Sequence, residues 1–185
     1  HVKSIIDKAR ELGKDNDSYL AVALATELNF YIAQRNADVL KLQDKDIYKK
    51  GDNYFFNINQ NKVDNVNVKV PIPPHLVEEV LSKKGYIIAD RFGKFDVQRF
   101  SRYFKKIRDI LGFDERYIFK NMRHTGSTAY VEAGVATNAI ISITGHTNEA
   151  IFNQVYKGNT EEVTLPALKK RLEAESRNNK IKESE

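Results

Sequence analysis

Apolar positions follow a helical period over most of this 185-residue chain and give way to alternation only between Asp46 and Val70. Val2, Ile5, Ile6 and Ala9 share one face of a helix over residues 1–13, with Gly13 as its stop. Asp15 to Ser18 supply N-cap candidates for a second helix, Tyr19 to Ala33, in which Leu20, Leu24, Leu28 and Tyr31 recur at helical spacing. Its weak polarity predicts a central, buried position. A break at Arg35-Asn36 precedes a short helix through Ala37, Val39, Leu40 and Leu42.

The alternating region contains three short runs rich in aromatic and β-branched residues: Asp46–Tyr48, Tyr54–Ile58 and Val66–Val70. Turns at Gly51-Asp52-Asn53 and Asp64-Asn65 would fold them into a small three-stranded antiparallel sheet. Val66, Val68 and Val70 face the core, leaving Asn67 and Lys69 on a side that meets solvent or a ligand. Pro71, Pro73 and Pro74 end the strand and start a helix near His75. Helical periodicity then resumes over Asp96–Leu111, where Phe100, Phe104, Ile107 and Leu111 form the stripe and Gly112 the stop. Arg99, Arg102, Lys105, Lys106 and Arg108 cover the rest of that helix, and a solvated face is a better account of them than a reading surface. Further helices are expected at 121–133, 136–143 and 148–156, and a last one over Thr160–Glu175 capped by Asn159 and Glu162. The polar, charged residues 177–185 read as a mobile tail behind a domain spanning residues 1–176. The fold class is α+β, mainly α, with one small sheet.

Composition narrows the function only slightly. A net charge of +5 is compatible with a polyanionic partner but equally with an ordinary soluble protein. The chain has no cysteine, which excludes disulfides and thiolate metal sites. No apolar run approaches a membrane span. The start at His1 leads us to expect a fragment of a longer protein.

The informative residues are an Arg, a His and a Tyr in one stretch, Lys120 to Tyr156. It opens with Lys120-Asn121-Met122-Arg123-His124-Thr125-Gly126-Ser127 and contains Gly145-His146 before Tyr156. Arg grips phosphate oxygens through parallel hydrogen bonds, His donates or moves a proton near neutral pH, and Tyr can attack phosphorus covalently. Upstream, Arg35 sits where an apolar helix breaks, with Asp38 placed to orient it, although taken alone the two would make an ordinary surface ion pair. Lys62 precedes the Asp64-Asn65 turn, where a lone lysine is usually only solvated. Tyr103, Tyr117 and Tyr130 are set aside as nucleophiles and His75 as a surface residue. His124 and His146 lack a carboxylate at ligand spacing, so no metal site is expected.

In this order, Arg35 with Asp38, Lys62, Lys120-x-x-Arg123, Gly145-His146 and Tyr156 resemble the catalytic domain of the tyrosine recombinases, the phage-type integrase family. The resemblance covers residues 17 to 160. It implies that Arg35 and Arg123 hold the nonbridging oxygens of a scissile phosphate and that His146 donates a further hydrogen bond. Tyr156 would be the nucleophile, forming a 3′-phosphotyrosyl link, and Lys62 the general acid on the 5′-oxygen. No cofactor or divalent ion is implied. Lys120 stands where most of the family has His and would act mainly as an electrostatic donor, with His124 in a supporting role. The hairpin lacks the family's usual Thr-Gly after the lysine, which leaves Lys69 as the substitute for Lys62.

The implied partner is double-stranded DNA, bound by a homotetramer during synapsis and by a monomer in isolation. The implied setting is a prokaryotic cytoplasm, with N-terminal DNA-binding domains outside this fragment. Leu165, Leu168 and Leu172 give the last helix an apolar face, equally suited to a neighbouring protomer or to its own domain. Integration of a phage or mobile element is the leading reading. The alternatives are a chromosome-dimer resolvase, a type IB topoisomerase and an inactive DNA-binding relative.

Overall fold

The computed structural model describes residues 1–60, 66–145 and 161–183. Helix α1 (Val2–Leu12) buries Ile5 and Ala9 against α2 (Asp17–Ile32). The Asn16 side chain caps α2 by accepting the Ser18 N–H at 3.0 Å. Ala21, Val22, Ala23, Leu24 and Ala25 are consecutive and all buried, so α2 is enclosed around its whole circumference, as its lack of a polar face requires. Between the two helices Gly13 keeps an ordinary right-handed φ of −67°. It provides space instead, since a Cβ there would lie 2.3 Å from Leu20 Cδ2.

Helix α2 ends at Ala33, whose φ of 49° makes it the one non-glycine residue with positive φ among the described residues. That left-handed turn costs about 1–2 kcal/mol for a residue with a Cβ. It redirects the chain so that Arg35 stands at the N-cap of α3 (Asn36–Leu40).

The expected sheet is present, with β1 (Ile47–Lys50), β2 (Asn53–Gln60) and β3 (Val66–Pro71) antiparallel in that order. Its register places Ile47 opposite Phe56, Phe56 opposite Val70 and Ile58 opposite Val68, giving one continuous apolar face. The other face is less open than the alternation suggested. Tyr48, Lys50 and Lys69 lie on it and all engage Glu161, at 2.7, 3.2 and 3.5 Å. Burial opposes charge on that carboxylate, but its backbone amide, Tyr48 and the two lysines outweigh it and bring its pKa down to about 2.

A 3-10 turn at Pro74–Leu76 leads into α4 (Val77–Leu81), and His75 is exposed there as expected. A second hairpin, β4 (Ala89–Asp90) with β5 (Gly93–Lys94), has strands too short to show alternation in the sequence. Helix α5 (Val97–Ile110), capped by Asp96, buries Phe100, Phe104 and Ile107. Two of its cations depart from the solvated face expected of them. Arg99 pairs with the fully buried carboxylate of Asp90, and buried Arg108 donates to the Glu115 carbonyl at 3.0 Å.

Helices α6 (Met122–Glu132), α7 (Thr137–Thr144) and α8 (Glu161–Glu183) complete the fold. The helix expected at 148–156 and the Asp64-Asn65 turn lie outside the described residues, as do Asn159 and the side chain of Glu162. Helix α8 continues past Glu175 through residues expected in a tail. No Gly or Pro follows Pro166 there, so nothing breaks the helix as it runs out into solvent. It packs against β3, α7 and α6 of its own chain, burying Ala167 and Leu168 and half-burying Leu165 and Leu172. Fully buried Arg171 sits over the rings of Phe30, Tyr130 and Tyr31, with 4.2, 4.5 and 4.6 Å to their centroids. None of the described helices is long and apolar enough to cross a membrane.

Helix α6 crosses α2 at Gly126, where a Cβ would lie 2.5 Å from the Phe30 carbonyl oxygen. Since that obstacle is backbone, Gly126→Ala is expected to cost about 1–3 kcal/mol in denaturant unfolding through overpacking. An unchanged unfolding midpoint would mean that α6 backs away freely.

Candidate active site

The site is assembled from three pieces of chain that pack around the end of α2. The first is the turn that presents Arg35, whose Nη1 donates to Gln60 Oε1 at 2.6 Å and lies 3.9 Å from Asp38 Oδ2. Asp38 is not part of an ordinary surface pair. Its side chain is 8% exposed, and its second oxygen takes Lys41 Nζ at 2.9 Å. One desolvated carboxylate therefore serves two cations and neutralises neither completely.

The second piece is the 3-10 turn Phe119–Asn121, anchored by Phe119 against Phe100 with ring centroids 4.3 Å apart. Asn36, next to Arg35, ties this turn to α3. With its side-chain amide turned so that both groups are satisfied, it donates to the Phe119 carbonyl at 3.2 Å and accepts the Lys120 N–H at 3.0 Å. The Lys120 side chain is exposed.

The third piece is the first turn of α6, which carries Arg123. Its Nη1 is buried without a hydrogen-bond partner among the described residues. Burial, reinforced by repulsion from Arg35 and only partly offset by Asp38, pushes this guanidinium down to about 10. It stays cationic at neutral pH.

Arg35, Arg123 and Lys120 line one cleft of about 790 Å³ together with Lys105, Arg108 and Tyr117. No acidic side chain is among the described residues lining it, so its walls suit a polyanion. His124 points elsewhere, into an adjoining cavity of about 590 Å³ beside His1 and Asn121. Lys62, His146 and Tyr156 lie outside the described residues. Lys69, the substitute for Lys62, is engaged with Glu161 on the sheet face. Tyr130 is a core residue, 1% exposed, with its hydroxyl on the Tyr31 carbonyl. No group of three or more potential metal-ligating side chains occurs among the described residues.

Sequence reasoning missed two buried amides, Gln34 and Gln60. Gln60 Nε2 donates to Gln34 Oε1 at 2.5 Å and to the Thr144 carbonyl at 3.0 Å, while its oxygen receives Arg35. No spacing rule marks such residues, because a glutamine in a strand or turn reads as a surface residue.

The Phage integrase family matches residues 1–162 of the chain. Among solved structures, XerH site-specific recombinase bound to difH substrate in a pre-cleavage complex is similar at a TM-score of 0.66 and 13% identity. The match covers 84% of this chain and 48% of that one. The catalytic core of lambda integrase is similar at 0.63 and 21% identity, over 79% of this chain and 92% of that one. XerA recombinase is similar at 0.58 and 17% identity, over 84% of this chain and 60% of that one. At these identities the likeness is one of fold, and the chain spans about half the length of the XerH protein. A search of curated proteins finds no match.

A buried cation whose donor finds no partner among the described residues is costly while no anion is bound. Arg123→Met is therefore expected to raise stability in phosphate-free buffer by about 0.5–2 kcal/mol, measured by denaturant unfolding. A loss of stability instead would mean that Arg123 supports the fold.

Proposed function

The chain belongs to the phage integrase family, and we propose that it is the catalytic domain of a site-specific DNA recombinase that integrates a phage or mobile element. The observation that carries this reading is the pair Arg35 and Arg123, facing a cleft whose described lining holds no acidic side chain, with Arg123 Nη1 buried and without a partner among the described residues. Two guanidiniums can bind both nonbridging oxygens of a phosphodiester and stabilise the charge that develops as phosphorus becomes pentacoordinate. Lys120 adds positive charge from the rim of the cleft.

In the proposed reaction the Tyr156 oxygen attacks phosphorus in line and gives up its phenolic proton to solvent water. The bond to the 5′-oxygen breaks, and that oxygen takes a proton from Lys62. The product is a 3′-phosphotyrosyl link and a free 5′-hydroxyl, with His146 hydrogen-bonded to the phosphate. The ester bond energy is retained, so a 5′-hydroxyl from a second duplex can reverse the attack and complete strand exchange. The partner in this reading is double-stranded DNA, held by a homotetramer during synapsis, and the setting is the cytoplasm. Resolution of chromosome dimers uses the same chemistry on a different pair of sites.

The test is to trap the covalent link. Full-length protein is incubated in EDTA with a pool of nicked duplexes randomised across the recognition arms, then resolved on a denaturing gel. A DNA-linked band is expected for wild type and for Tyr117→Phe, and none for Tyr156→Phe. Absence of a band from a pool that the protein binds overturns the reading. Recombination between the trapped site and a non-identical partner site distinguishes integration from resolution, which joins two like sites.

A further inference from the structure

Gln60 and Gln34 are 1% and 0% exposed, and a pair of amides is a costly way to fill a core unless their hydrogen bonds are used. Here they are used on three separate segments. Gln34 Nε2 donates to the carbonyls of Ile32 and Ile143, both at 2.6 Å, and so joins the end of α2 to α7. Gln60, the last residue of β2, donates to Gln34 and to Thr144 and accepts from Arg35. Its amide lies flat against Gly145, where φ is +65° and a Cβ would come within 2.7 Å of both Gln60 Oε1 and Nε2. Gly145 is the residue before His146 in sequence.

We propose that Gln60, aligned by Gln34, is a positioning residue that fixes the Arg35 guanidinium relative to the turn at the end of α7. The inference rests on the proposed DNA cleavage and deepens it. A neutral acceptor suits this task for an electrostatic reason. It orients Arg35 through one hydrogen bond and leaves its charge available to a phosphate, whereas a carboxylate there would compete with the phosphate for the same guanidinium. The second function of the amide is to hold the α7 turn at a fixed distance from Arg35, because the two share one rigid group.

The test uses full-length protein and the duplex selected by trapping, made with either a normal phosphate or a neutral methylphosphonate at the cleavage position. A methylphosphonate removes the charge that the guanidiniums neutralise, so it lessens dependence on a well-placed arginine. Gln60→Met, similar in size but without the amide, is expected to bind DNA within about threefold of wild type and to form adduct about 10- to 100-fold more slowly on phosphate. On the methylphosphonate that deficit is expected to shrink, as it does for Arg35→Ala measured alongside. A Gln60→Met protein as fast as wild type, or equally slow on both duplexes, overturns the proposal. Should Gln60→Met fail to fold, as judged by thermal unfolding, Gln60→Glu is read in its place. It is expected to hold Arg35 as an ion pair and to show the same dependence on the duplex, and equal rates with wild type overturn the proposal again. Absence of any adduct from wild type identifies a failure of the functional reading itself.

Discussion

A helix enclosed over its middle turns cannot leave its last carbonyls to water, and the end of α2 meets that demand with groups from its own turn and from other helices. The Asn29 carbonyl takes the N–H of left-handed Ala33. The Phe30 carbonyl takes Arg171 of α8, the Tyr31 carbonyl takes the Tyr130 hydroxyl of α6, and the Ile32 carbonyl takes the Gln34 amide. The Phe30 and Tyr31 carbonyls thus hold α8 and α6, Gln34 also reaches the Ile143 carbonyl of α7, and two of these tethers bear directly on the cleft. Tyr130 belongs to the helix that carries Arg123, and Gln34 orients the amide that holds Arg35. Helix C-terminal carbonyls also present negative potential, which helps a charged Arg171 remain buried between aromatic rings. The crossing at Gly126 brings α6 against the same Phe30 carbonyl, so α2, α6 and α8 are mutually placed around one peptide group.

Much of this architecture was legible in the sequence because it follows from periodicity. The apolar stripe of α5, the enclosure of α2 and the three-strand sheet are all direct consequences of where apolar side chains recur. The hairpin at Ala89–Lys94 was not legible, since two-residue strands carry no period. The continuation of α8 beyond Glu175 was misread for a different reason. Charged residues without an apolar face signal that a segment has no core to join, and they do not signal that it leaves the helix. The candidate site divides in the same way. Arg35, Asp38, Lys120 and Arg123 stood out because their residue types and order match a known pattern, and the structure brings the two arginines and Lys120 to one cleft. The amides around these groups did not stand out. Gln34, Gln60 and Asn36 act through hydrogen bonds made across the fold, and neutral amides give no sign in sequence of the partners they will meet.

The placement of these neutral groups follows from a conflict at the site itself. Desolvation of Arg123 is costly, and repulsion from nearby Arg35 adds to that cost. A nearby carboxylate for each arginine would lower that cost but would also occupy the donors that the proposed reaction assigns to a phosphate. Among the described residues the site instead has one buried carboxylate, Asp38, at 3.9 Å from Arg35 and shared with Lys41. The remaining orientation comes from uncharged partners: Gln60 on Arg35, and Asn36 on the backbone at Lys120. Such partners fix direction while neutralising nothing, and Arg123 Nη1 has no partner among the described residues. The positive charge is thereby stored in a defined geometry, to be relieved by an anion entering the cleft.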